Sequence, residues 1–326
     1  MPTNPTRRRF VKGAALASIA SAIGIPASST PAALAPIARV GGPHLLPAVN
    51  TYSFLELLNA NLKDSTKGID LFGVCDFAAK QNLFAVDLTG YFFPAYPKPP
   101  TDGYIARLKR HTHDLGLAIS GTGVRNDFTA ADKSIRAAGI QIIKDWIEVA
   151  AKLGAPVLRV FADSQPPFKS WKEASGNASR EVVEAWMADA LRECAEHAQK
   201  FGVIVAVQNH GDFIASGAEH LSLLSRVDHE WCGALVDTGK YMSEDPYADM
   251  AMMVPHAVNW QIKETLRSET TSPPTDFRKL VGLIRQGGYR GYLPIETLSM
   301  HRQGYDSFAE VTKVIAQLRE AITVTA

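Results

Sequence analysis

The second half of the chain contains four short apolar segments that each end in a side chain able to bind a metal ion or a sugar. Segments that are apolar at every position are typical of strands buried on both faces of a parallel sheet. In a barrel of such strands the carboxyl ends meet at one mouth. The segments are Val203–Gln208, Gly233–Asp237, Val258–Gln261 and Tyr292–Glu296. We therefore expect the polar side chains that end them to be neighbours in space.

Strand-like and helix-like segments alternate from Leu46 onward, and Glu181–Phe201 and Phe308–Ile322 are examples of the amphipathic helical pattern. The predicted strands are Leu46–Tyr52, Leu83–Leu88, Leu117–Gly121, Val157–Phe161, Val203–Gln208, Cys232–Asp237, Ala257–Ile262 and Gly291–Glu296. A doubly wound open sheet is the alternative, but it requires a Gly-rich phosphate-binding turn after the first strand, and Asn50–Phe54 contains no glycine. Eight strands alternating with about eight helices predict an α/β fold of the (β/α)8 TIM-barrel type.

The N-terminus has the pattern of an export signal. The basic segment Thr6–Lys12, with the sequence TRRRFVK, precedes an Ala-rich apolar stretch over Gly13–Ile25. That stretch is shorter than the ~20 residues that a transmembrane helix needs. The pattern predicts a twin-arginine signal peptide and linker over 1–38, a barrel over 39–326 and a periplasmic or secreted product. An uncleaved leader acting as a membrane anchor and a disordered basic tail are the alternatives.

Composition narrows the class of partner. The 326 residues have a formal net charge of +1. No block of Lys and Arg occurs outside the leader, which argues against a nucleic-acid partner. After cleavage no segment is expected to span a membrane. We expect a small-molecule carbohydrate as the ligand, and self-association into a homo-oligomer is left open.

The four strand ends predict a cation site. Two carboxylates, Asp237 and Glu296, and two amides, Gln208 and Gln261, would supply the oxygen atoms that hard divalent cations prefer. A carboxylate buried without a partner costs several kcal/mol, so Asp237 and Glu296 are expected to be paired, ligated or solvated. A helix N-cap is the structural alternative for Asp237.

Lys263 and His210 are candidate catalytic residues. Alternation along the seventh strand places Lys263 on the same side as Gln261. There a lysine can polarise a carbonyl group or move a proton, provided that its pKa is depressed. Ion pairing with Asp237 or Glu264 is the alternative for Lys263. His210 belongs to a polar segment that follows the fifth strand, and a structural role is its alternative.

Three further polar residues are candidate substrate ligands, namely Asn209 after the fifth strand, Arg159 within the fourth and Lys240 after the sixth. Two long connections, Tyr91–Pro100 and Ala162–Asn177, also leave the carboxyl ends of strands, where a barrel builds its site. Their aromatic side chains either stack on a sugar ring or cover the barrel rim.

An ordered set of motifs resembles the sugar phosphate isomerase/epimerase family of xylose isomerase-like TIM barrels. The motifs are Gln208–Gly211, Val236–Gly239, Asn259–Lys263 and Gly288–Glu296. The resemblance implies a divalent metal, Mn²⁺ or Mg²⁺, held by Glu, Asp, His and Glu. These positions fall on Gln208, Asp237, Gln261 and Glu296, so two of the four ligands depart from the family pattern.

The departure at Gln208 bears on the implied reaction. An amide removes one negative charge from the site, which weakens cation binding, and it cannot accept a proton as the family's glutamate does. The resemblance therefore implies metal polarisation of a carbonyl with one other base, for which His210, Lys263 and Glu296 are the candidates. Isomerisation, epimerisation and β-elimination of a keto-glycoside are the implied reactions. The alternative is a catalytically silent barrel that binds a carbohydrate or a partner protein.

Overall fold

The computed structural model of the protein describes residues 34–267, 272–298 and 303–325. Eight strands in this part of the chain form one parallel sheet in the order β7-β6-β5-β4-β3-β2-β1-β8. A parallel bridge between Ile262 and Ile295 brings the two edges together, so the barrel is nearly closed. The strands are β1 His44–Asn50, β2 Ala85–Thr89, β3 Ala118–Gly123, β4 Val157–Phe161, β5 Ile204–Gln208, β6 Cys232–Asp237, β7 Ala257–Gln261 and β8 Arg290–Ile295. The predicted TIM barrel is confirmed.

Helices connect the strands and cover the barrel. Among the described residues they are α1 Leu55–Lys63, α2 Leu71–Lys80, α3 Asp102–Asp114, α4 Lys133–Leu153, α5 Trp171–Ala174, α6 Arg180–Gln199, α7 Gly217–Val227, α8 Pro246–Met253, α9 Phe277–Gln286 and α10 Ser307–Val324. The buried faces of these helices pack on the outer faces of the strands in one large apolar core. This packing leaves the barrel mouth to the loops that follow the strands.

The predicted strands are all present, with small differences at their ends. The first strand ends at Asn50 rather than Tyr52, because the Asn50 side chain accepts a hydrogen bond from the Tyr52 backbone N–H and starts a short 3₁₀ helix over Thr51–Phe54. The predicted helices over Glu181–Phe201 and Phe308–Ile322 correspond to α6 and α10.

Capping residues determine where several helices begin and end. Ser216 and Glu219 form a reciprocal capping box at the start of α7. Asp306 caps α10 by accepting hydrogen bonds from two backbone N–H groups. Helix α4 ends at Gly154, whose φ of +80° lies in the left-handed region that favours glycine. These caps direct the chain back to the sheet within a few residues.

The predicted leader lies largely outside the described residues, which begin at residue 34. The segment that follows it packs on the amino-terminal end of β7. The Ile37 backbone N–H donates to the Pro255 carbonyl at 2.9 Å, and the Arg39 guanidinium donates to the Ala257 carbonyl. Over the described ranges, no helix has the length and apolar character needed to cross a lipid bilayer.

Candidate functional site

The carboxyl ends of the strands surround a cavity of about 310 Å³. Seven of the residues that the sequence singled out line it, namely Arg159, Gln208, His210, Lys240, Gln261, Lys263 and Glu296. Asp237 is fully buried directly behind this wall. The mouth of the barrel therefore brings together most of the side chains that the strand-end pattern predicted.

Lys263 lies between two buried carboxylates. Its Nζ is 3.5 Å from Asp237 Oδ2 and hydrogen-bonds to Glu296 Oε1. All three side chains are at least nine-tenths buried. The ion pair with Asp237 considered from the sequence is thus present, and Glu296 is a second partner. Because buried charges require partners, one ammonium group here compensates part of the charge of two carboxylates.

Gln208 extends the same cluster through its amide group. Its Nε2 donates to Asp237 Oδ2 at 2.8 Å and to Gln261 Oε1 at 2.6 Å. Its Oε1 is buried without a hydrogen-bond partner. The reverse amide orientation would place Oε1 against a carboxylate oxygen at 2.8 Å with no proton between them. The hydrogen-bonding pattern therefore favours an NH₂ group that faces Asp237.

The charges in the cluster keep Lys263 protonated. Burial lowers the pKa of Lys263, but the opposing effect of Asp237 and Glu296 is larger and raises the pKa above its usual range. Burial raises the pKa of Glu296, and the Lys263 ammonium opposes this shift. The depressed lysine pKa considered from the sequence is therefore not what the geometry produces. Lys263 is a hydrogen-bond donor at neutral pH rather than a base.

His210 faces the same cavity and is oriented by Asp163. The Asp163 Oδ2 lies 2.8 Å from His210 Nδ1, and the His210 ring packs against Phe161 at a centroid distance of 4.8 Å. Burial lowers the pKa of His210 to about 3, and burial together with Asp212 raises the pKa of Asp163 to about 8. In the tautomer whose Nδ1–H donates to Asp163, the unprotonated Nε2 of the neutral imidazole can accept a proton from a molecule in the cavity.

Two of the three predicted substrate ligands line the cavity, and the third does not. Arg159 packs its guanidinium over the Phe161 ring at 4.2 Å, and Lys240 lines the cavity with a pKa lowered by burial. The Asn209 amide is instead engaged by the β6 backbone, since it accepts from Asp237 N–H at 2.8 Å and donates to the Asp237 carbonyl at 2.9 Å. Asn209 therefore aligns β5 with β6, and it is not among the residues lining the cavity.

Comparison with known proteins identifies the family. A family model described as "Xylose isomerase-like TIM barrel" matches residues 75–322, which is more than half of the chain. The chain belongs to this family.

Several solved structures have a similar fold at low sequence identity. The chain is similar to D-psicose 3-epimerase from Clostridium cellulolyticum H10 (13% identity, TM-score 0.65), with 86% of this chain and 98% of that chain covered. D-allulose 3-epimerase from Methylomonas sp. matches at 16% identity and a TM-score of 0.66, covering 88% and 100%. 3-Keto-D-glucoside 4-epimerase from E. coli matches at 15% identity and a TM-score of 0.62, covering 77% and 94%. At these identities the likeness shows the fold.

The divalent cation expected from the family resemblance can be tested against the donor atoms. Such a cation needs several oxygen atoms that converge on one point and are free to bind it. Here Lys263 donates to Glu296 and forms an ion pair with Asp237 at 3.5 Å, and Gln208 directs its NH₂ group at Asp237 and Gln261. Within the described ranges, no group of three or more His, Cys, Asp or Glu side chains is arranged to hold a metal ion. The four predicted ligands, as they lie, do not fit a divalent cation.

Several residues of the site were missed by sequence reasoning. Tyr52 and Arg125 line the cavity and were not anticipated. Tyr91, Ser164 and Asp163 lie in the two long connections expected at the mouth, but the pairing of Asp163 with His210 was not anticipated. Asp163 follows the last residue of β4 by two positions, and Asp237 is the last residue of β6. The position of Asp163 just after an apolar strand was therefore a usable signal. Tyr91 lies in the long connection after β2, and it stacks beneath the Arg125 guanidinium at 4.6 Å.

A second, larger depression adjoins the cavity. It has a volume of about 670 Å³ and lies between the Pro97–Pro99 turn and the face of α4 that carries Ile135 and Ile142. The residues common to the two are Arg125, Gln165 and Pro166. We call this depression the α4 groove. It offers a mostly apolar surface beside the polar cavity.

Proposed function

We propose that the chain is an enzyme of the sugar isomerase/epimerase class that moves a proton at the carbon next to a sugar carbonyl. The observation that supports this proposal most strongly is that a charged hydrogen-bond donor and a neutral imidazole line the same cavity. Lys263 supplies the donor and His210 the imidazole. The similar solved structures are ketose and keto-glucoside epimerases, which supports a sugar as the substrate.

The residues of this chain provide both parts of an enolisation. The substrate carbonyl oxygen accepts a hydrogen bond from the Lys263 ammonium, which stabilises the negative charge that develops on that oxygen. His210 Nε2 takes the proton from the adjacent carbon, and the electron pair of the broken C–H bond moves to the carbonyl to form an enolate. Return of the proton from His210 to carbon regenerates a carbonyl compound. Return of that proton to the same carbon and face regenerates the starting sugar. Its delivery to the neighbouring carbon, with transfer of a hydroxyl proton between the two oxygens, gives the isomer, and protonation of the opposite face by solvent gives the epimer.

The remaining walls suit a polyhydroxylated ring. Phe161 and Tyr91 line the cavity, and the Arg159 guanidinium lies over both rings, at 4.2 Å and 5.3 Å from their centroids. Aromatic faces pack against the C–H groups of sugars, and charged donors bind hydroxyl groups. Since the Gln208 amide donates to Asp237 and Gln261, and the Lys263 ammonium pairs with Asp237 and Glu296, no step is assigned to a metal ion.

The α4 groove favours a keto-glycoside over a free monosaccharide. A cavity of about 310 Å³ accommodates one sugar ring, whereas the adjoining groove of about 670 Å³ offers space for an apolar aglycone. In a 3-keto-glycoside, proton removal at C2 by His210 places the electron pair so that the glycosidic C–O bond at C1 breaks. The aglycone then leaves as its alcohol once protonated by solvent. This elimination is the second candidate reaction.

Solvent deuterium exchange tests the proposal. The full chain is incubated in D₂O with a panel of ketoses and aryl 3-keto-glycosides, and ¹H NMR follows loss of the proton next to the carbonyl. We expect exchange with at least one sugar and none above background for Lys263→Met. A sugar that binds in calorimetry but exchanges no proton with any panel member would favour the catalytically silent binding protein.

Export is a separate part of the proposal. We propose that the Thr6–Lys12 segment directs the folded chain through the twin-arginine pathway. In a bacterium with this pathway, the native chain is expected in the periplasmic fraction and the Arg7→Lys/Arg8→Lys variant in the cytoplasm. Equal distribution of the two proteins would contradict an export signal.

A further inference from the structure

The four side chains expected to bind a cation are joined by hydrogen bonds from two nitrogen donors. The Lys263 ammonium donates to Glu296 and forms an ion pair with Asp237. The Gln208 amide donates to Asp237 and to Gln261. The end of each strand from β5 to β8 therefore contributes one of the four expected ligands, and the segment after β7 also contributes Lys263. A nitrogen donor lies where converging oxygens would otherwise require a cation.

The backbone around Lys263 is built to keep its side chain in this place. The Lys263 N–H donates to Thr238 Oγ1 at 2.9 Å, and the Lys263 carbonyl accepts from Thr275 Oγ1 at 2.8 Å. A Cβ at Gly239 would lie only 2.7 Å from Lys263 Cγ. The lysine stem thus fills the space above Gly239, and its position does not depend on the ion pair alone.

The Lys263 ammonium and a divalent cation cannot both occupy this site, because their positive charges repel each other. With Lys263 protonated, Asp237 and Glu296 have a single excess negative charge between them. A divalent ion at the same place would lie beside a buried ammonium group and would be repelled by it. Gln208, where the family resemblance places a glutamate, removes the charge that would offset this repulsion. The two amides and the lysine therefore work in the same direction.

We infer that the Lys263 ammonium takes the place of the divalent cation in this chain and that the site operates without a metal. The inference about metal binding stands on the hydrogen-bond network and the charges described above. The associated role of Lys263 as the group that polarises the carbonyl rests on the proposed function. The class of substrate is the one expected from the family resemblance, but the group that polarises the carbonyl is a side chain instead of a metal ion.

Titration of the full chain with Mn²⁺ tests the inference without any substrate. Four proteins are compared by calorimetry and by the Mn²⁺ EPR signal, namely the native chain, Lys263→Met, Gln208→Glu and Gln208→Glu/Lys263→Met. We expect no binding to the native chain up to about 1 mM Mn²⁺ and one site in the double variant, at least about 100-fold tighter. Gln208→Glu alone is the matched control, because it adds the carboxylate while keeping the ammonium. We expect it to bind more weakly than the double variant.

Two outcomes would overturn the inference. One is stoichiometric Mn²⁺ binding by the native chain that Asp237→Asn abolishes. The other is a folded double variant, verified by circular dichroism, that does not bind Mn²⁺. If the double variant does not fold, the native titration decides alone, since binding overturns the inference and its absence up to about 1 mM supports it. A chain that binds no metal and exchanges no proton with any sugar would refute the proposed function while leaving the metal inference intact.

Discussion

Two buried carboxylate clusters in the same barrel have opposite designs. Asp87, at the centre of β2, accepts hydrogen bonds from neutral donors, namely Asn50 Nδ2 at 3.0 Å, Asn259 Nδ2 at 2.9 Å and Ser120 Oγ at 3.3 Å. Asp237 and Glu296 instead share a buried ammonium. The first cluster therefore consists of one acid and neutral partners, whereas the second contains formal charges of both signs.

Access to the cavity separates the two clusters as well. Lys263 and Glu296 line it, whereas Asp87 does not. A Cβ at Gly121 would lie 2.7 Å from Asp87 Oδ2, so the barrel interior is closed around that carboxyl group. Burial raises the pKa of Asp87 to about 6, and the opposing effects of the Asn259 hydrogen bond and the Arg159 charge are smaller. The comparison shows that the cluster containing charges of both signs borders the cavity, whereas the cluster with neutral partners is closed off from it.

The largest expected effect comes from removing the ammonium of the mouth cluster. Lys263→Met should lower the deuterium exchange rate by about 10³-fold, because the developing oxyanion loses its charged donor. It should also destabilise the fold by about 3–5 kcal/mol, since two buried carboxylates lose their partner. Exchange is measured by NMR and stability by urea unfolding. Asp87→Asn is the matched control: it also perturbs a buried cluster, but its exchange rate should stay within about tenfold of native. Equal losses of exchange rate in Lys263→Met and Asp87→Asn would contradict the functional difference between the two clusters.

The next effect concerns the base. Replacing His210 with Gln should lower exchange by about 10²–10³-fold, within the range for loss of a general base. Because burial lowers the pKa of His210 to about 3, the imidazole stays neutral and the native rate should remain flat from pH 7 to pH 5. A rate that falls through an apparent pKa near 6.5 would show an ordinary exposed histidine and would contradict this assignment.

The third effect is on stability, and it belongs to the Asp87 cluster. The pKa of Asp87 in the folded chain is about 6, above the value of 3.8 usual for aspartate. Between about pH 4 and pH 6 the native chain therefore binds more protons than the unfolded chain. The stability from this group is present below about pH 4 and is lost as the pH rises through about 6, by up to about 3 kcal/mol. Asp87→Asn should remove this slope in urea unfolding measured at pH 4 and pH 6.5. An unchanged slope would assign the titration to another group.

The smallest effect concerns the α4 groove. Ile142→Asp should raise the KM for an aryl 3-keto-glycoside by about tenfold, because an apolar contact is replaced by a charge. The KM for a free ketose should change by less than about twofold. Parallel increases for both substrates would show that the groove does not receive the aglycone.

The strand pattern predicted the fold and the main site residues because both follow from local sequence. Apolar runs identify buried parallel strands, and their last residues must face the mouth, which placed Gln208, Asp237, Gln261 and Glu296 together. Alternation alone placed Lys263 beside Gln261. These features depend on a few neighbouring residues and are therefore readable from the sequence.

Contacts between distant loops were not readable in this way. Asp163 and His210 are 47 residues apart, and their pairing depends on how two connections pack. The sign of the Lys263 pKa shift depends on two carboxylates at specific distances, so the sequence left open both a depressed pKa and an ion pair. Asn209 has the residue type of a sugar ligand, but its amide binds the β6 backbone.

The most direct measurement is deuterium exchange at the carbon next to the carbonyl, made before EDTA treatment, after it and after addition of Mn²⁺. The account predicts the same exchange rate in all three conditions and its loss in Lys263→Met. Exchange that disappears with EDTA and returns with Mn²⁺ would contradict the central claim that an ammonium group, rather than a metal ion, activates the carbonyl.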